Sequence, residues 1–148
     1  MPKVGILIPA YEAGRTVAAV VAACRGIAGS SDIVVIDDGS TDDTLQNAKN
    51  AGAICIRHPE NRGKGAALCT GFSEASKLGW DAAITIDADG QHDPAAIPSF
   101  LEEYHRCGAG IIVGTRRRTG GMPVVRRASN WLSSSVVSWL AGQRVPDS

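Results

Sequence analysis

Two aspartates separated by one residue, Asp87 and Asp89, follow the apolar run 82–86 and precede Gly90 and Gln91. In a straight strand, side chains two residues apart point to the same face at about 7 Å, too far for one cation to bind both directly. A bend at Gly90, which tolerates unusual backbone angles, would remove that obstacle. Asp89 and Gln91 then supply the hard oxygen ligands that Mg²⁺ or Mn²⁺ prefers, with Asp87 as a third ligand or a contact to metal-bound water.

The acidic turn also has a purely structural interpretation. Asp93 precedes Pro94, and this pair predicts a helix that begins with Asp93 as its N-cap. Asp87 and Asp89 are harder to explain in this way, because two like charges at the end of a buried strand are unfavourable without a cation. A metal site is therefore the preferred interpretation of these two residues.

A second acidic pair, Asp37 and Asp38, follows the apolar run 33–36. Either carboxylate is able to accept hydrogen bonds from a nucleobase edge or from ribose hydroxyls. The structural alternative is strong, since residues 40–43 are suited to capping a following helix whatever the function. The pair is a candidate nucleotide contact, but alone it is a weak signal.

Lys64 lies between Gly63 and Gly65 at the predicted start of a helix. Glycines at a helix N-terminus let the backbone approach a phosphate, and the lysine adds a positive charge. The spacing is not that of a Walker A loop. A glycine-rich turn with a solvated lysine is therefore the alternative.

The C-terminal part of the chain concentrates positive charge. Guanidinium groups hold phosphates bidentately, so a local anion site is expected here, with a solvated basic loop as the alternative. The arginines concerned are Arg116, Arg117, Arg118, Arg126 and Arg127. On a predicted helix over 125–140, an apolar stripe from Trp131 to Leu140 is expected to pack in the core, and contact with a lipid chain or membrane surface is the alternative.

Alternation of short apolar runs with helical segments indicates the architecture that positions these side chains. Such runs favour a Rossmann-like α/β domain, with a mostly parallel sheet covered by helices on both faces. Ligands bind such sheets beyond the carboxyl ends of the strands, so the polar segments after the second, third and fourth strands are expected at one edge. The predicted strands are 4–8, 33–36, 53–56, 82–86 and 111–113, and the predicted helices are 16–27, 42–51, 65–78, 94–106 and 125–140.

Composition narrows the classes of function. The chain has 148 residues with 15 basic and 15 acidic side chains, and this balance favours neither nucleic acid nor an anionic membrane as a partner. No run approaches the roughly 18 apolar residues of a membrane span. The four cysteines match neither a zinc pattern nor a disulfide framework, and are predicted to be reduced core residues of a cytoplasmic protein.

His92 is a candidate contact to bound phosphate, whereas His58 and His105 are not expected to act as a base.

Five segments in order resemble the family 2 glycosyltransferases of the GT-A fold. Within that family they resemble the dolichol-phosphate mannosyltransferase and polyprenyl-phosphate glycosyltransferase branch. The segments are Ile8 to Glu12, Ile36 to Ser40, Asn61 to Gly65, Asp87 to His92 and Gly114 to Arg127. The resemblance covers most of the chain, and five motifs in register are far more specific than one.

The resemblance and the residue chemistry together imply a role for each candidate. The expected nucleotide-sugar-binding residues are Pro9, Tyr11, Glu12, Asp37, Asp38, Lys64 and Asp87, and the expected metal ligands are Asp87, Asp89 and Gln91. Arg116 and Arg127 are expected near the acceptor phosphate, and with Asp89 they form the expected catalytic set. Mg²⁺ or Mn²⁺ is the expected cofactor.

The implied reaction is inverting, metal-dependent transfer of a hexose from GDP-mannose or a UDP-hexose to an acceptor, with a polyprenyl phosphate preferred. A lipid phosphate is already ionised at neutral pH, so it needs no strong general base. The expected location is the cytoplasm, including the cytoplasmic face of the membrane. Peripheral membrane contact, a membrane-protein partner and a homo-oligomer are all compatible with this interpretation.

Residues 1–148 are expected to form a single domain, with a donor half at 1–114 and a partial acceptor side at 115–148. Members of this branch normally continue beyond a segment like Gln143 to Ser148, so the acceptor side is expected to be short. Two other classes of function stay open. One is a catalytically silent or partner-dependent nucleotide-sugar-binding fragment, and the other, less favoured, is a nucleotidyltransferase.

Overall fold

The computed structural model describes residues 2–28 and 32–114. Strands and helices alternate along this part of the chain, and they belong to one unit that ends at Gly108. The strands are β1 (Val4–Ala10), β2 (Ile33–Asp37), β3 (Ile54–Arg57) and β4 (Ala82–Thr85), and the helices are α1 (Val17–Ala28), α2 (Thr44–Asn50), α3 (Lys64–Lys77) and α4 (Ile97–Cys107). The predicted succession of four βα units is confirmed.

All pairings in the four-stranded sheet are parallel, in the order β3-β2-β1-β4. Ala10 of β1 is in register with Asp37 of β2, which is in register with Arg57 of β3. The pairing continues past the strand ends, where the Asp38 N–H donates to the Ala10 carbonyl oxygen at 2.8 Å. The His58 N–H donates to the Asp37 carbonyl oxygen at 2.9 Å. The carboxyl ends of these strands therefore meet at one edge, and their loops open there together.

Apolar side chains from alternate strand positions form a core on each face of the sheet. On the face covered by α1, α2 and α4, Ile8, Val21 and Val35 are completely buried. On the face covered by α3, Leu7 and Ile36 are completely buried. The prediction of helices on both faces is confirmed. Because both faces are covered, a polar ligand approaches this sheet at the ends of its strands.

The helices begin and end close to their predicted positions. Asp93 is the predicted N-cap, and its carboxylate accepts a hydrogen bond from the Ala95 N–H at 2.9 Å. The first turn after it, Pro94–Ala96, is a 3-10 turn, and α4 itself begins at Ile97. In the part of the chain that the structure describes, no helix combines the length and the apolar character needed to cross a bilayer.

The predicted fifth strand over 111–113 is wrong. Residues 109–114 contain neither helix nor strand, and Ile111 and Val113 expose 83% and 70% of their surface. An apolar run becomes a strand only when a neighbouring strand pairs with its backbone groups. No pairing of the described sheet includes this segment. Apolar composition alone therefore does not identify a strand this short.

The cysteines are free, as predicted, but they are not all core residues. Cys24 is buried and Cys55 half-buried, whereas Cys69 and Cys107 are exposed. Burial raises the pKa of the Cys24 thiol and of the Cys55 thiol, which disfavours their reactive thiolate forms. The predicted core positions are wrong for Cys69 and Cys107, because a helix on a sheet turns only one stripe of its surface toward the core.

α3 approaches β1 closely where Gly71 faces Leu7. A Cβ atom at Gly71 would lie 2.2 Å from Leu7 Cδ1, far inside contact distance. Leu7 is completely buried, so its side chain has little room to move away. The missing side chain at Gly71 therefore sets the distance between helix and sheet, and with it the position of Lys64 at the start of the same helix.

Replacing Gly71 by alanine is expected to lower the free energy of unfolding by about 1–3 kcal/mol, because the added methyl group overpacks the core. Gly65→Ala is the matched control on α3, since a Cβ atom there meets nothing within 4 Å. That control is expected to be neutral or to gain up to about 1 kcal/mol from helix propensity. Urea unfolding of both variants measures the difference. Equal stabilities would contradict the close-contact argument.

Candidate functional site

A cleft of about 630 Å³ opens at the edge where the strands end. Its walls come from the segments that follow β1, β2, β3 and β4. The predicted site residues that line it are Pro9, Tyr11, Glu12, Asp38, Lys64, Asp87 and Asp89, and the unpredicted lining residues include Arg15, Thr16, Asp42 and Asn61. Residues separated by up to 80 positions in the sequence thus share one concave surface, as the parallel register requires.

Glu12 joins the loop after β1 to the loop after β2. Its N–H donates to Ser40 Oγ at 2.9 Å, and its Oε1 accepts from the Thr41 N–H at 2.7 Å and from Thr41 Oγ1 at 3.0 Å. These bonds hold Glu12 at a φ of 49°, a left-handed conformation that non-glycine residues rarely adopt. Glu12 therefore shapes this wall of the cleft, and Tyr11 beside it stays 51% exposed.

The Asp38 carboxylate is buried and collects hydrogen bonds from the loop before α3. Its Oδ1 accepts from the Arg62 N–H at 3.1 Å, and its Oδ2 accepts from the Gly63 N–H at 2.7 Å. Burial raises the pKa of Asp38, but the hydrogen bonds from His58 and from these two N–H groups outweigh it, so the net pKa is lowered. Asp38 is therefore ionised at neutral pH and anchors the loop that leads into Lys64.

His58, which was not expected to act as a base, is the side chain that contacts the Asp38 carboxylate. Its Nδ1 lies 2.6 Å from Asp38 Oδ1 and its Nε2 lies 2.9 Å from Thr70 Oγ1. Only 5% of the His58 side chain is exposed. The imidazole therefore connects the acidic end of β2 to the middle of α3.

Asp37 does not line the cleft, so of the first acidic pair only Asp38 reaches it. The Asp37 side chain is completely buried, and its Oδ1 accepts from the Ser40 N–H at 3.0 Å. Its Oδ2 lies 3.4 Å from Arg57 Nε, and Arg57 also donates to the Ser40 carbonyl oxygen at 2.7 Å. Asp37 and Arg57 together close the loop after β2. This structural role of Asp37 differs from the helix capping by residues 40–43 that the sequence offered as the alternative.

Two further contacts attach α1 and its preceding loop to the cleft. The carboxylate of Asp42 accepts from the Gly14 N–H at 2.8 Å and from the Thr44 N–H at 3.0 Å. The N-cap of α2 is Asp43, whose side chain makes no capping hydrogen bond, and Asp42 before it contacts the first N–H of the helix instead. The Thr16 hydroxyl donates to the Ala88 carbonyl oxygen at 2.6 Å. That bond holds the backbone of the second acidic turn between its two aspartates.

Asp87 is paired with Lys64 across the cleft. Lys64 Nζ lies 2.6 Å from Asp87 Oδ1 and 2.8 Å from Asp87 Oδ2, so both carboxylate oxygens contact the ammonium group. The side chains are 60% and 30% exposed, which leaves the pair open to solvent and to a ligand. The Asp87 N–H donates to His92 Nδ1 at 3.0 Å, so His92 holds the backbone of this turn.

The acidic turn bends as predicted but is less buried than predicted. Gly90 has a φ of 74°, and the Gln91 N–H donates to Asp89 Oδ1 at 2.8 Å. β4 ends at Thr85 and is only partly buried, and Asp89 is exposed at the rim of the cleft. The argument that like charges are buried at the end of this strand is therefore wrong. What remains is an accessible pair of carboxylates on one turn.

Asp87 and Asp89 suit a divalent cation whose coordination is completed by a bound molecule. Asp87 already holds a positive group with both oxygens, and Asp89 adds a second hard oxygen ligand beside it. In the described ranges, no group of three or more His, Cys, Asp or Glu side chains is arranged to hold a metal. A cation bound here would need oxygen ligands from a bound molecule, as Mg²⁺ does with substrate phosphates.

Two of the predicted site residues do not line the described cleft, and two others lie outside the described part of the chain. Asp37 is buried behind it, and Gln91 follows the acidic turn without being among the lining residues. Arg116 and Arg127 lie outside the described residues, as do the predicted helix 125–140 and its apolar stripe. Their expected roles at an acceptor phosphate stay predictions.

Comparison with known proteins identifies relatives over nearly the whole chain. The chain is 30% identical over 164 residues to UDP-N-acetylglucosamine--dolichyl-phosphate N-acetylglucosaminyltransferase of Methanococcus voltae, covering 97% of this chain and 65% of that protein. It is 30% identical over 150 residues to undecaprenyl-phosphate mannosyltransferase of Micrococcus luteus, covering 97% of this chain and 58% of that protein. The chain therefore spans less than two thirds of the length of either relative.

A solved structure shares the fold. The chain superposes on glucosyl-3-phosphoglycerate synthase of Mycobacterium tuberculosis, crystallised with Mn²⁺, UDP and glucosyl-3-phosphoglycerate, with a TM-score of 0.59. The identity is 26%, and the match covers 74% of this chain and 42% of that one. Another crystal structure of that synthase contains Mg²⁺ and UDP. The parallel sheet with helices on both faces is thus the GT-A fold.

The match to a protein family extends across both the described cleft and the basic segment beyond it. The family model, described as Glycosyl transferase family 2, covers residues 5–144. This range includes all five segments on which the resemblance rests. The chain therefore belongs to glycosyltransferase family 2.

Proposed function

We propose that this chain provides the donor-binding side of an inverting glycosyltransferase that moves a hexose from a nucleotide-diphosphate sugar to a polyprenyl phosphate. The observation that carries the proposal is the pairing of Lys64 with Asp87 beside Asp89, in a cleft at the carboxyl edge of a GT-A sheet. An acidic pair that binds a cation and a positive side chain beside it are together suited to a metal-bound diphosphate. Neither a silent binding module nor a nucleotidyltransferase is favoured by the named relatives.

The nucleoside is proposed to lie between the loops after β1 and β2. Pro9 and the half-exposed Tyr11 offer apolar surface for a base, and Asp38 lies in the same cleft. Asp38 is ionised and has its carboxylate held by backbone N–H groups, so it presents a fixed acceptor to ribose or base donors. Glu12 keeps the two loops at a fixed separation through Ser40 and Thr41.

The diphosphate is proposed to lie along Lys64, Asp87 and Asp89. Asp87 and Asp89 would hold the Mg²⁺ or Mn²⁺ ion, with Gln91 as a further oxygen ligand from the same turn. That ion, when bound, neutralises charge that develops on the departing nucleoside diphosphate. Lys64 contributes a second positive charge at the same group, and it is carried on the rigid start of α3.

The reaction proposed for this arrangement is a single displacement. An acceptor oxygen forms a bond to the anomeric carbon from one face, while the bond from that carbon to the diphosphate breaks on the opposite face. The nucleoside diphosphate leaves with the bonding electron pair. A phosphate acceptor is already deprotonated at neutral pH, so no strong base is needed, and none of the described histidines is required as one.

A polyprenyl phosphate is the preferred acceptor because of the named relatives. The proteins that cover 97% of this chain carry dolichyl phosphate or undecaprenyl phosphate in their names. The synthase that shares the fold, and whose name includes 3-phosphoglycerate, covers 74% of the chain at lower identity. The test is transfer of labelled sugar from GDP-mannose or UDP-glucose, with Mn²⁺, to undecaprenyl phosphate in detergent or to 3-phosphoglycerate. Label in the lipid fraction is expected, and label only in phosphoglycerate would overturn the lipid assignment.

Asp89→Ala is expected to weaken nucleoside diphosphate binding in the presence of Mn²⁺ by at least about 100-fold, because a direct metal ligand is lost. Asp93→Ala is the matched control, since it removes the same charge from the same loop. The Asp93 side chain caps the turn at Pro94. The control is expected to bind normally and to lose about 1 kcal/mol of stability. Calorimetric titration with UDP and GDP, with and without Mn²⁺, gives both affinities. An unchanged affinity of Asp89→Ala would contradict the metal assignment.

His58→Ala is expected to raise the donor KM by about tenfold with a smaller change in kcat, because Asp38 loses the side chain that orients it. The variant should also lose about 1–3 kcal/mol of stability, as a buried carboxylate then lacks a donor. His58→Gln keeps a donor and should recover part of the affinity. His105→Ala on α4 is the control. Among the described hydrogen bonds, the His105 ring makes only the one to the Leu101 carbonyl oxygen. A donor KM in His58→Ala equal to that of the control would exclude this positioning role.

A further inference from the structure

Lys64 and Asp87 form an ion pair inside the cleft at the position where the donor diphosphate is proposed to bind. Both oxygens of the Asp87 carboxylate contact the ammonium group, at 2.6 Å and 2.8 Å. The ammonium group of Lys64 neutralises the Asp87 carboxylate, and the carboxylate accepts hydrogen bonds from the ammonium group. A metal ion that needs the Asp87 oxygens must displace the ammonium group, and a diphosphate finds only part of the donor capacity of Lys64 unused.

The backbone around Lys64 is held independently of this ion pair. Gly63, with a φ of 88°, precedes Lys64, and its N–H is bound to buried Asp38 at 2.7 Å. Gly71, farther along α3, packs against Leu7 of β1. Only the flexible side chain of Lys64, 60% exposed, is free to leave Asp87. The ammonium group can therefore exchange partners without rearrangement of the fold.

We propose that Lys64 is an internal cation that occupies Asp87 until metal and diphosphate arrive together, and that it couples the binding of the two. This inference rests on the donor-binding function proposed above. A divalent ion alone must displace the ammonium from Asp87, and the displaced charge then lacks a partner. A diphosphate alone meets two carboxylates, and Lys64, the ammonium group that lines the described cleft, is already engaged with Asp87. When both bind, the metal takes Asp87 and the diphosphate takes Lys64.

The sparse set of protein ligands strengthens this coupling. The described residues offer no cluster of three or more acidic, His or Cys side chains for a metal. A cation on Asp87 and Asp89 would take its remaining ligands from Gln91, water and phosphate oxygens, so bound phosphate should tighten its binding. Linkage requires that the factor by which nucleotide tightens metal binding equals the factor by which metal tightens nucleotide binding. Lys64 should increase that shared factor.

The test measures Mn²⁺ binding by the electron paramagnetic resonance signal of the free ion, with and without saturating UDP or GDP. In the wild-type chain, nucleotide should tighten Mn²⁺ binding by about tenfold or more, within the range of coupled sites. In Lys64→Met, Mn²⁺ alone should bind about fivefold tighter than in the wild type. The factor by which nucleotide tightens Mn²⁺ binding should be about tenfold smaller than in the wild type. Lys64→Arg keeps the charge and should retain most of the coupling.

Lys77→Met is the matched control on the same helix. Lys77 also pairs with a carboxylate, donating to Glu74 Oε2 at 2.9 Å, but it lies at the far end of α3 from the cleft. This variant should reproduce every wild-type affinity. Circular dichroism of all three variants verifies that the fold is intact.

Different outcomes separate this inference from the proposed function. If wild-type nucleotide binding does not respond to Mn²⁺, the donor-site proposal fails and the inference fails with it. If the wild type shows the coupling but Lys64→Met shows the same factor, only the inference is overturned. Weaker Mn²⁺ binding by Lys64→Met in the absence of nucleotide would likewise exclude competition for Asp87.

Discussion

A carboxylate taken out of water needs donors to compensate its charge, and Asp38 takes its donors from separate parts of the chain. The Arg62 and Gly63 N–H groups come from the loop before α3, and His58 comes from the end of β3. His58 in turn reaches Thr70 in the middle of α3. One buried charge therefore ties two strands, a loop and a helix into the wall of the cleft.

The fold was predictable because its signals are local. Short apolar runs separated by helical segments identify βα units, and parallel strands with covered faces follow from their composition. The bend at Gly90 and the cap at Asp93 were also predictable, because each depends on neighbouring residues. Convergence of the loops at one edge then follows from topology. Seven of the sixteen residues that line the described cleft were predicted as site residues, and Pro9, Tyr11 and Glu12 among them came from the family resemblance.

The contacts that were missed depend on residues distant in the sequence. His58 and Asp38 are 20 positions apart, and nothing near His58 indicates a partner. The strand register provides the missing information: Asp37 lies opposite Arg57, so the next residues, Asp38 and His58, become neighbours. Which of Asp37 and Asp38 faces the cleft also depends on residues distant in the sequence. Adjacent residues at a strand end point in opposite directions, and only the assembled sheet determines which one faces the cleft.

The hydrogen bond from Thr16 to the Ala88 carbonyl oxygen anchors the backbone of the acidic turn, while the carboxylates on either side of Ala88 stay accessible. Ala88 is buried, whereas Asp87 and Asp89 on either side of it are accessible. Ordering this turn around a ligand should then cost mainly side-chain rotamer entropy, because the main chain has been ordered during folding. The residue just before α1 thus supports the acidic turn through a direct hydrogen bond, although its own side chain is uncharged. Sequence change at Thr16, which itself lines the cleft, would accordingly loosen the turn while leaving the Asp87 and Asp89 carboxylates in the sequence.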